Sequence, residues 1–386
     1  MDLEFLSPVE QVVLAHNELL PVQSLGRNIR IHTEASGVPD LDGVQIAIVA
    51  VNEIRNASIK SREGLKVSDF RRSVYKLFLG NWNAAIADLG NIEPGETVDD
   101  TYFALAKLTE ELAKKRINLI VLGGSQDLTY ATYRGFDKLE QMVNLVSVDS
   151  RFDFGSADEL ISSQSYLSKI VVDQPNNLFN FSNVGYQTYY NAQEEIDLMG
   201  KLFFEAYRLG EIVHDITLVE PVMRDADVVS LDMTSVRSAD LGSDARLHPN
   251  GFDGREICAI ARYAGISDKV SVFGIYECVN NSQFEQLVAQ IIWYYIEGYN
   301  CRKNDYPFSA INDNYERYIV PLEDADVNFY KSISSGRWWV EVSENEFLDN
   351  KFKRHTLIPC THHDYLEACN NKLPERWWKA YKKMMV

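Results

Sequence analysis

Residues 143–153 read VNLVSVDSRFD, an apolar strand that passes directly into a cluster of charged side chains. Four more segments have the apolar, β-branched character of strands that are covered on both faces. They are QIAIVAV at 45–51, INLIVLGG at 117–124, ADVVSLD at 226–232 and KVSVFGIYE at 269–277. Amphipathic helical segments separate these strands along the chain. Strands that alternate with helices predict an α/β fold, with a parallel sheet covered by helices on both faces.

Two of the helical segments have clear sequence signals. Thr97 and Asp100 have the spacing of a capping box at the start of a helix that carries leucines on one face. After the last strand, apolar residues recur at helical spacing from Phe284 to Tyr295. This stripe predicts a helix whose apolar face is buried against the sheet.

In chain order, each of the last four of these five strands ends in a polar cluster. The clusters are, in chain order, GGSQD, DSRFD, SLDMT and YE. In a parallel sheet the carboxyl ends of the strands lie along one edge, where ligands usually bind. We therefore expect the four clusters to form one site.

The composition excludes several classes of protein. The chain has 386 residues and a formal net charge of −18, which repels phosphate backbones and anionic lipid surfaces. No apolar run reaches the ~18 residues that a membrane span needs, and the start MDLEFLSPVEQ lacks the features of a signal peptide. Five widely spaced cysteines indicate neither a disulfide framework nor a zinc site. We expect a cytoplasmic protein that binds neither nucleic acid nor membranes.

The order and spacing of the four clusters resemble those of the arginase, agmatinase and formimidoylglutamase superfamily. Its members carry the elements GGDH, DAHxD and SxDxD and a late glutamate, and the resemblance covers residues 43–300. It implies a three-layer α/β/α sandwich around a mostly parallel sheet. It also implies two Mn²⁺ ions that activate a bridging hydroxide for attack on a guanidinium or amidine carbon.

The first two elements are only partly retained. In the GGDH element, Gln126 stands where the family has a ligand histidine. In the DAHxD element, Asp149 and Asp153 are retained, but Arg151 replaces the histidine. Two of the six metal-ligand positions are therefore substituted at this point.

The later elements show a third substitution. Asp232 of the SxDxD element is retained, whereas Thr234 replaces its second aspartate. Glu277 matches the family glutamate that holds the cationic head of the substrate. The segment SSQS at 162–165 is similar to the SSGT segment of formimidoylglutamases, which makes that subfamily the nearest functional relative that the sequence suggests.

Two of the three substitutions fall on the same metal ion. Arginine stays protonated and has no lone pair to donate, so Arg151 cannot be a ligand. A guanidinium ~4 Å from a divalent ion is opposed by ~8 kcal/mol at an effective dielectric of ~20, which the hydroxyl of Thr234 could not offset. We expect this metal to be absent and Arg151 to pair with Asp149 or Asp232.

The remaining carboxylates allow two interpretations. The preferred one is a structural cluster of aspartates around Arg151, with no cofactor. The alternative is one weakly bound Mn²⁺ at a residual single site formed by Gln126, Asp149, Asp153 and Asp232. Glu277 could bind a small cation or pair with an internal arginine.

Three functions follow from these interpretations. The preferred hypothesis is a catalytically inactive family member with a binding, scaffold or regulatory role, so that an enzymatic activity is not expected. The alternative is a divergent, formimidoylglutamase-like hydrolase of C–N bonds in linear amidines, carried by Asp149, Asp153, Asp232 and Glu277. A third is a sensor that binds guanidino compounds through Glu277 without hydrolysis.

The chain is predicted to have three parts. Residues 1–42 form an N-terminal extension with a short helix, residues 43–300 the α/β domain, and residues 301–386 an appended region that packs on it. The segments GRWW at 336–339 and ERWWKAYKK at 375–383 are the best candidates for contacts with a protein partner or a second copy of the chain.

Overall fold

The structure is a computed structural model, which describes residues 3–58, 64–139, 141–155, 159–242, 248–307, 314–322, 326–342 and 356–385. In these residues the chain forms a large, mostly parallel sheet and a small antiparallel sheet. The large sheet contains strands β1 to β10, which are Leu6–Ser7, Arg30–Ile31, Ile46–Val51, Ile86–Ile92, Asn118–Leu122, Val143–Val148, Leu178–Tyr186, Glu205–Arg208, Val228–Asp232 and Val272–Tyr276.

Strands that are distant in sequence are neighbours in the large sheet. Their order is β1-β4-β3-β5-β10-β9-β6-β7-β8, and β2 pairs with β4. β1 is antiparallel to β4, whereas the other pairs are parallel. β9 and β10, which are the last two strands of this sheet in the sequence, therefore lie between β5 and β6.

Helices cover both faces of the large sheet. Helices α1 to α11 are Gln11–Glu18, Val67–Tyr75, Val98–Lys114, Leu128–Arg134, Tyr166–Val172, Gln193–Lys201, Leu209–His214, Val219–Asp225, Ser238–Leu241, Gly254–Ile266 and Ser282–Asn300. Alternate side chains of β3 enter two separate cores, Ile46 and Ile48 on one face and Ala47 and Val49 on the other. This arrangement confirms the predicted α/β sandwich.

The predicted helix signals are confirmed in the structure. The side chain of Thr97 accepts a hydrogen bond from the backbone N–H of Asp100, and the Asp100 carboxylate accepts one from the backbone of Thr97, as in a capping box. In α11 the stripe that runs from Phe284 to Tyr295 is buried in the core. The helices α10 and α11 approach so closely that a Cβ atom on Gly265 would lie 2.1 Å from the carbonyl oxygen of Tyr295.

The N-terminal residues contribute two strands to the large sheet as well as the predicted helix. The predicted short helix is present as α1. In addition, β1 and β2 both join the large sheet through β4. A two-residue strand has no periodicity of its own, so no sequence pattern could have indicated these pairings.

The C-terminal residues form a small module. Its antiparallel sheet consists of β11 to β14, which are Tyr315–Pro321, Asp326–Ser332, Trp338–Glu341 and Leu357–Cys360, and its helices α12 and α13 are His362–Ala368 and Glu375–Met385. Trp338, Trp339 and Trp377 are buried, whereas Trp378 is 47% exposed. A contact with a partner through these segments stays a prediction, and Trp378 is the tryptophan that remains accessible for it.

An arginine of the α/β domain fixes the module. The guanidinium of Arg224 in α8 donates to the carbonyl oxygens of Trp338 (2.9 Å) and Cys360 (3.0 Å). The same group lies 4.6 Å from the ring centroid of Trp339. The predicted packing of the C-terminal region on the domain therefore has a specific polar anchor, while the predicted domain boundaries themselves stay a prediction.

Candidate functional site

The registers of four adjacent strands bring the polar clusters together. β10 and β9 end side by side, with Tyr276 paired to Asp232. Val148, at the end of β6, is paired to Leu231 in β9. β5 lies on the other side of β10. The residues that follow these strands therefore project from one edge of the sheet.

Three buried aspartates form the centre of the site. Asp149, Asp153 and Asp232 are 1%, 5% and 7% exposed. Burial raises the pKa of all three carboxyl groups. The negative charge of Asp149 raises the pKa of Asp153 and Asp232 further, to well above the ordinary value. Asp153 hydrogen-bonds to Asp149, and the proximity of the two carboxyl groups favours binding of a proton by the pair.

Two residues of the site have left-handed backbone conformations. Asp153 has a φ of +58° and Glu277 a φ of +56°. Such conformations cost roughly 1 kcal/mol or more in residues other than glycine, and they are often found at functional sites. The backbone N–H of Glu277 donates to the carbonyl oxygen of Gly124 (2.9 Å), which ties this turn to the end of β5.

Glu277 is held from two directions. Its Oε1 accepts a hydrogen bond from the backbone N–H of Gln126 (3.2 Å), and its Oε2 accepts one from the hydroxyl of Ser58 (2.8 Å). The side chain is 2% exposed. The carboxylate therefore has a fixed orientation next to Gln126, and its charge raises the pKa of Asp232.

Gln126 is enclosed by hydroxyl groups. Its Nε2 lies 3.2 Å from the hydroxyl of Ser147 and 3.4 Å from those of Tyr166 and Ser230, while its Oε1 has no donor among the described residues. If the Gln126 amide is rotated by 180°, these hydroxyls can donate to Oε1. The same rotation turns Nε2 toward Asp149, with which Gln126 forms a hydrogen bond. The second orientation leaves fewer polar groups unsatisfied, and it presents a donor to Asp149.

The predicted ion pair of Arg151 is wrong. Its Nη1 donates to the carbonyl oxygen of Tyr190 (2.9 Å), and its guanidinium lies 4.6 Å from the centroid of the Tyr190 ring. Within the described part of the chain, the guanidinium forms no ion pair with Asp149, Asp153 or Asp232; only the backbone N–H of Arg151 contacts Asp149. A stacked aromatic ring and a carbonyl group outcompete carboxyl groups that are already hydrogen-bonded to one another.

Thr234 occupies a tight turn after β9. Its backbone N–H donates to Oδ1 of Asp232 at 2.6 Å, within the 3₁₀ helix Met233–Ser235. The hydroxyl of Thr234 also hydrogen-bonds to Asp232 and lowers its pKa, which only partly offsets the effect of burial. Oδ1 of Asp232 therefore already accepts a hydrogen bond from the backbone of this turn.

Two residues of the site were not found by sequence reasoning. The hydroxyl of Tyr190 lies 2.9 Å from Nδ1 of His248, and the two rings are 4.7 Å apart. Burial and the charge of Arg151 lower the pKa of His248. No motif includes either residue, and their proximity to Arg151 depends on loops that are far apart in sequence.

Two of the metal-ligand positions that the resemblance implies carry side chains with neither a carboxylate nor an imidazole. A guanidinium stacked on Tyr190 stands at one ligand position and a neutral hydroxyl at another. Among the residues that the structure describes, no group of three or more His, Cys, Asp or Glu side chains is arranged to hold a metal ion. A residual single-metal site at Gln126, Asp149, Asp153 and Asp232 stays a prediction.

A family comparison identifies the origin of this arrangement. Residues 47–295 match the model of the arginase family. The chain belongs to the arginase family. Formimidoylglutamase from Streptococcus gordonii is 25% identical over 126 residues, which are 31% of this chain and 38% of that protein. The aligned part therefore spans well under half of that curated relative.

Solved structures of arginase-family proteins share the fold. The Trypanosoma cruzi formiminoglutamase with Mn²⁺ superposes with a TM-score of 0.62 and 15% identity, over 72% of this chain and 99% of that one. Formimidoylglutamase from Bacillus subtilis gives a TM-score of 0.60 and 13% identity, over 69% and 91% of the two chains. These similarities establish the arginase-like fold of this family member.

The described helices include none that is long and apolar enough to cross a membrane. The expected partners, location and activity of the protein stay predictions.

Proposed function

We propose that this arginase-family protein is catalytically inactive and has a binding or regulatory role. The observation that supports this proposal best is the position of Arg151, whose guanidinium is held on Tyr190 and whose charge acts to lower the pKa of Asp149 and Asp153. A permanent cation at this position opposes a second Mn²⁺. Without two metals there is no bridging hydroxide to attack an amidine carbon.

In this proposal, a proton reduces the negative charge of the aspartate cluster, as metal ions do in the family. Buried carboxylates repel one another unless a cation or a proton reduces their charge. The raised pKa values of Asp149 and Asp153 favour a proton on this pair, which would reduce the charge without a metal. The cluster can therefore fold and remain stable as a neutralised remnant of the active site.

The experiment compares the natural protein with a variant that restores the family ligands, Gln126→His/Arg151→His/Thr234→Asp. Both are purified in manganese and analysed for metal content and for turnover of formimidoylglutamate, arginine and agmatine. We expect less than one Mn²⁺ per chain and no turnover for the natural protein, and a higher metal content for the restored variant. Two bound Mn²⁺ with metal-dependent turnover in the natural protein would refute the proposal.

A second candidate function is a formimidoylglutamase-like hydrolase that uses a single divalent ion. It is favoured by two buried carboxylate oxygens that accept no hydrogen bond from a described donor, Asp149 Oδ2 and Asp153 Oδ2. Oxygens of this kind are ligands that Mn²⁺ accepts. This candidate requires one Mn²⁺ per chain that is lost in Asp153→Asn, together with turnover of formimidoylglutamate that chelation abolishes.

A further inference from the structure

A half-buried guanidinium beside the aspartate cluster has unused hydrogen-bond donors. One nitrogen of Arg151, Nη1, donates to the carbonyl oxygen of Tyr190. Nε and Nη2 donate to no group in the part of the chain that the structure describes. Since a guanidinium has five N–H donors in a planar fork, most of its capacity is available.

The backbone around Arg151 is rigidly held. The carbonyl oxygen of Arg151 accepts a hydrogen bond from Nδ2 of Asn183 (2.6 Å). Oδ1 of Asn191 accepts one from the backbone N–H of Phe152 (2.9 Å), and its Nδ2 donates to the carbonyl oxygen of Ser150 (3.0 Å). The backbone at Arg151 is therefore fixed, and the contact of its guanidinium with Tyr190 reduces the ordering cost that a ligand would meet there.

We infer that Arg151, Tyr190 and His248 form a binding site for the carboxylate group of a small molecule. This inference rests on the proposed absence of a second metal at Arg151. Arginine binds carboxylates through two parallel N–H···O bonds, and Nε and Nη2 of Arg151 form the edge of the fork that has no described acceptor.

His248 supplies a second donor to this site. Its Nδ1 lies 2.9 Å from the hydroxyl of Tyr190. When that hydroxyl donates to Nδ1, the proton of the imidazole is on Nε2, which is then a donor. A neutral N–H and a guanidinium together suit a carboxylate, whereas neither suits a cationic ligand.

The test measures dissociation constants by calorimetry with the full-length protein in the presence of EDTA. The probes are L-glutamate, which has carboxylates, agmatine, which has a guanidinium and no carboxylate, and inorganic phosphate. We expect L-glutamate to bind the natural protein, and Arg151→Met to weaken this binding about 10-fold or more. Tyr190→Phe retains the ring but removes the contact with His248, and we expect a smaller loss.

The matched control is Arg255→Gln, since the Arg255 side chain is 92% exposed and lies outside the site. Its affinity for L-glutamate should equal that of the natural protein. The inference is overturned if the natural protein fails to bind L-glutamate, if Arg151→Met binds it equally well, or if phosphate binds as tightly. A chelator is present throughout, so these outcomes do not depend on metal. Metal-dependent turnover, measured separately, would refute the proposed function instead.

Discussion

Replacement of Arg376 by methionine should destabilise the protein by removing the partner of a buried carboxylate. Nε of Arg376 lies 3.0 Å from Oε2 of Glu205, and Nη2 lies 3.4 Å from Asp225. The side chains of Arg376 and Glu205 are 15% and 7% exposed. Burial raises the pKa of Glu205, but the positive charges of Arg376 and Lys383 outweigh this effect and lower it overall.

The size of the effect follows from what remains around Glu205. Loss of one partner of a buried ion pair typically costs about 3–5 kcal/mol. Tyr207 (2.8 Å) and Asn180 (3.1 Å) continue to donate to Glu205, so we expect a loss of about 3 kcal/mol. A chain of 386 residues has an unfolding entropy of about 0.8 kcal/mol/K, so the melting temperature should fall by about 4 °C.

The assay is urea unfolding followed by circular dichroism at several pH values. In Arg376→Met, Glu205 loses the main cause that lowers its pKa, so its folded-state pKa rises. The destabilisation should therefore be largest at pH 7–8 and should shrink as the pH falls toward the ordinary pKa of a glutamate. The double variant Arg376→Met/Glu205→Gln removes both charges, and we expect it to recover most of the loss. A double variant as unstable as the single one would refute this reasoning.

Three other substitutions test the site and the core. Asp153→Asn should raise the melting temperature more at pH 8 than at pH 5. The reason is that the raised pKa of Asp153 makes the folded natural protein lose stability as the pH rises. Equal effects at both pH values would contradict this. Burial lowers the pKa of Lys383 to about 7, so the natural protein should gain stability between pH 7 and pH 10, and Lys383→Met should flatten that gain in thermal melts. Gly265→Ala should destabilise by roughly 1–3 kcal/mol in urea unfolding, since its Cβ would meet the carbonyl oxygen of Tyr295, whereas Gly200→Ala, where a Cβ meets no atom within 4 Å, should stabilise slightly.

Much of the fold could be predicted from local patterns in the sequence. The apolar strands at 45–51, 117–124, 226–232 and 269–277 all belong to the central sheet, and the Thr97 capping box starts a helix as predicted. These signals are local because a strand buried on both faces must be apolar along its whole length, and a helix must satisfy its first N–H groups with nearby side chains. The polar clusters that follow the strands are also local motifs. They indicated the family and the location of the site.

The direction of individual side chains was decided only by tertiary structure. The sequence shows that Arg151 cannot bind a metal, but it does not show that Tyr190 and His248 lie beside it. The pairing of β1 and β2 with β4 and the burial of Trp338, Trp339 and Trp377 in the module are decided in the same way. A charged or aromatic side chain goes to whichever partner offers the largest net gain after desolvation. The competing partners come from distant segments that only the folded chain brings together.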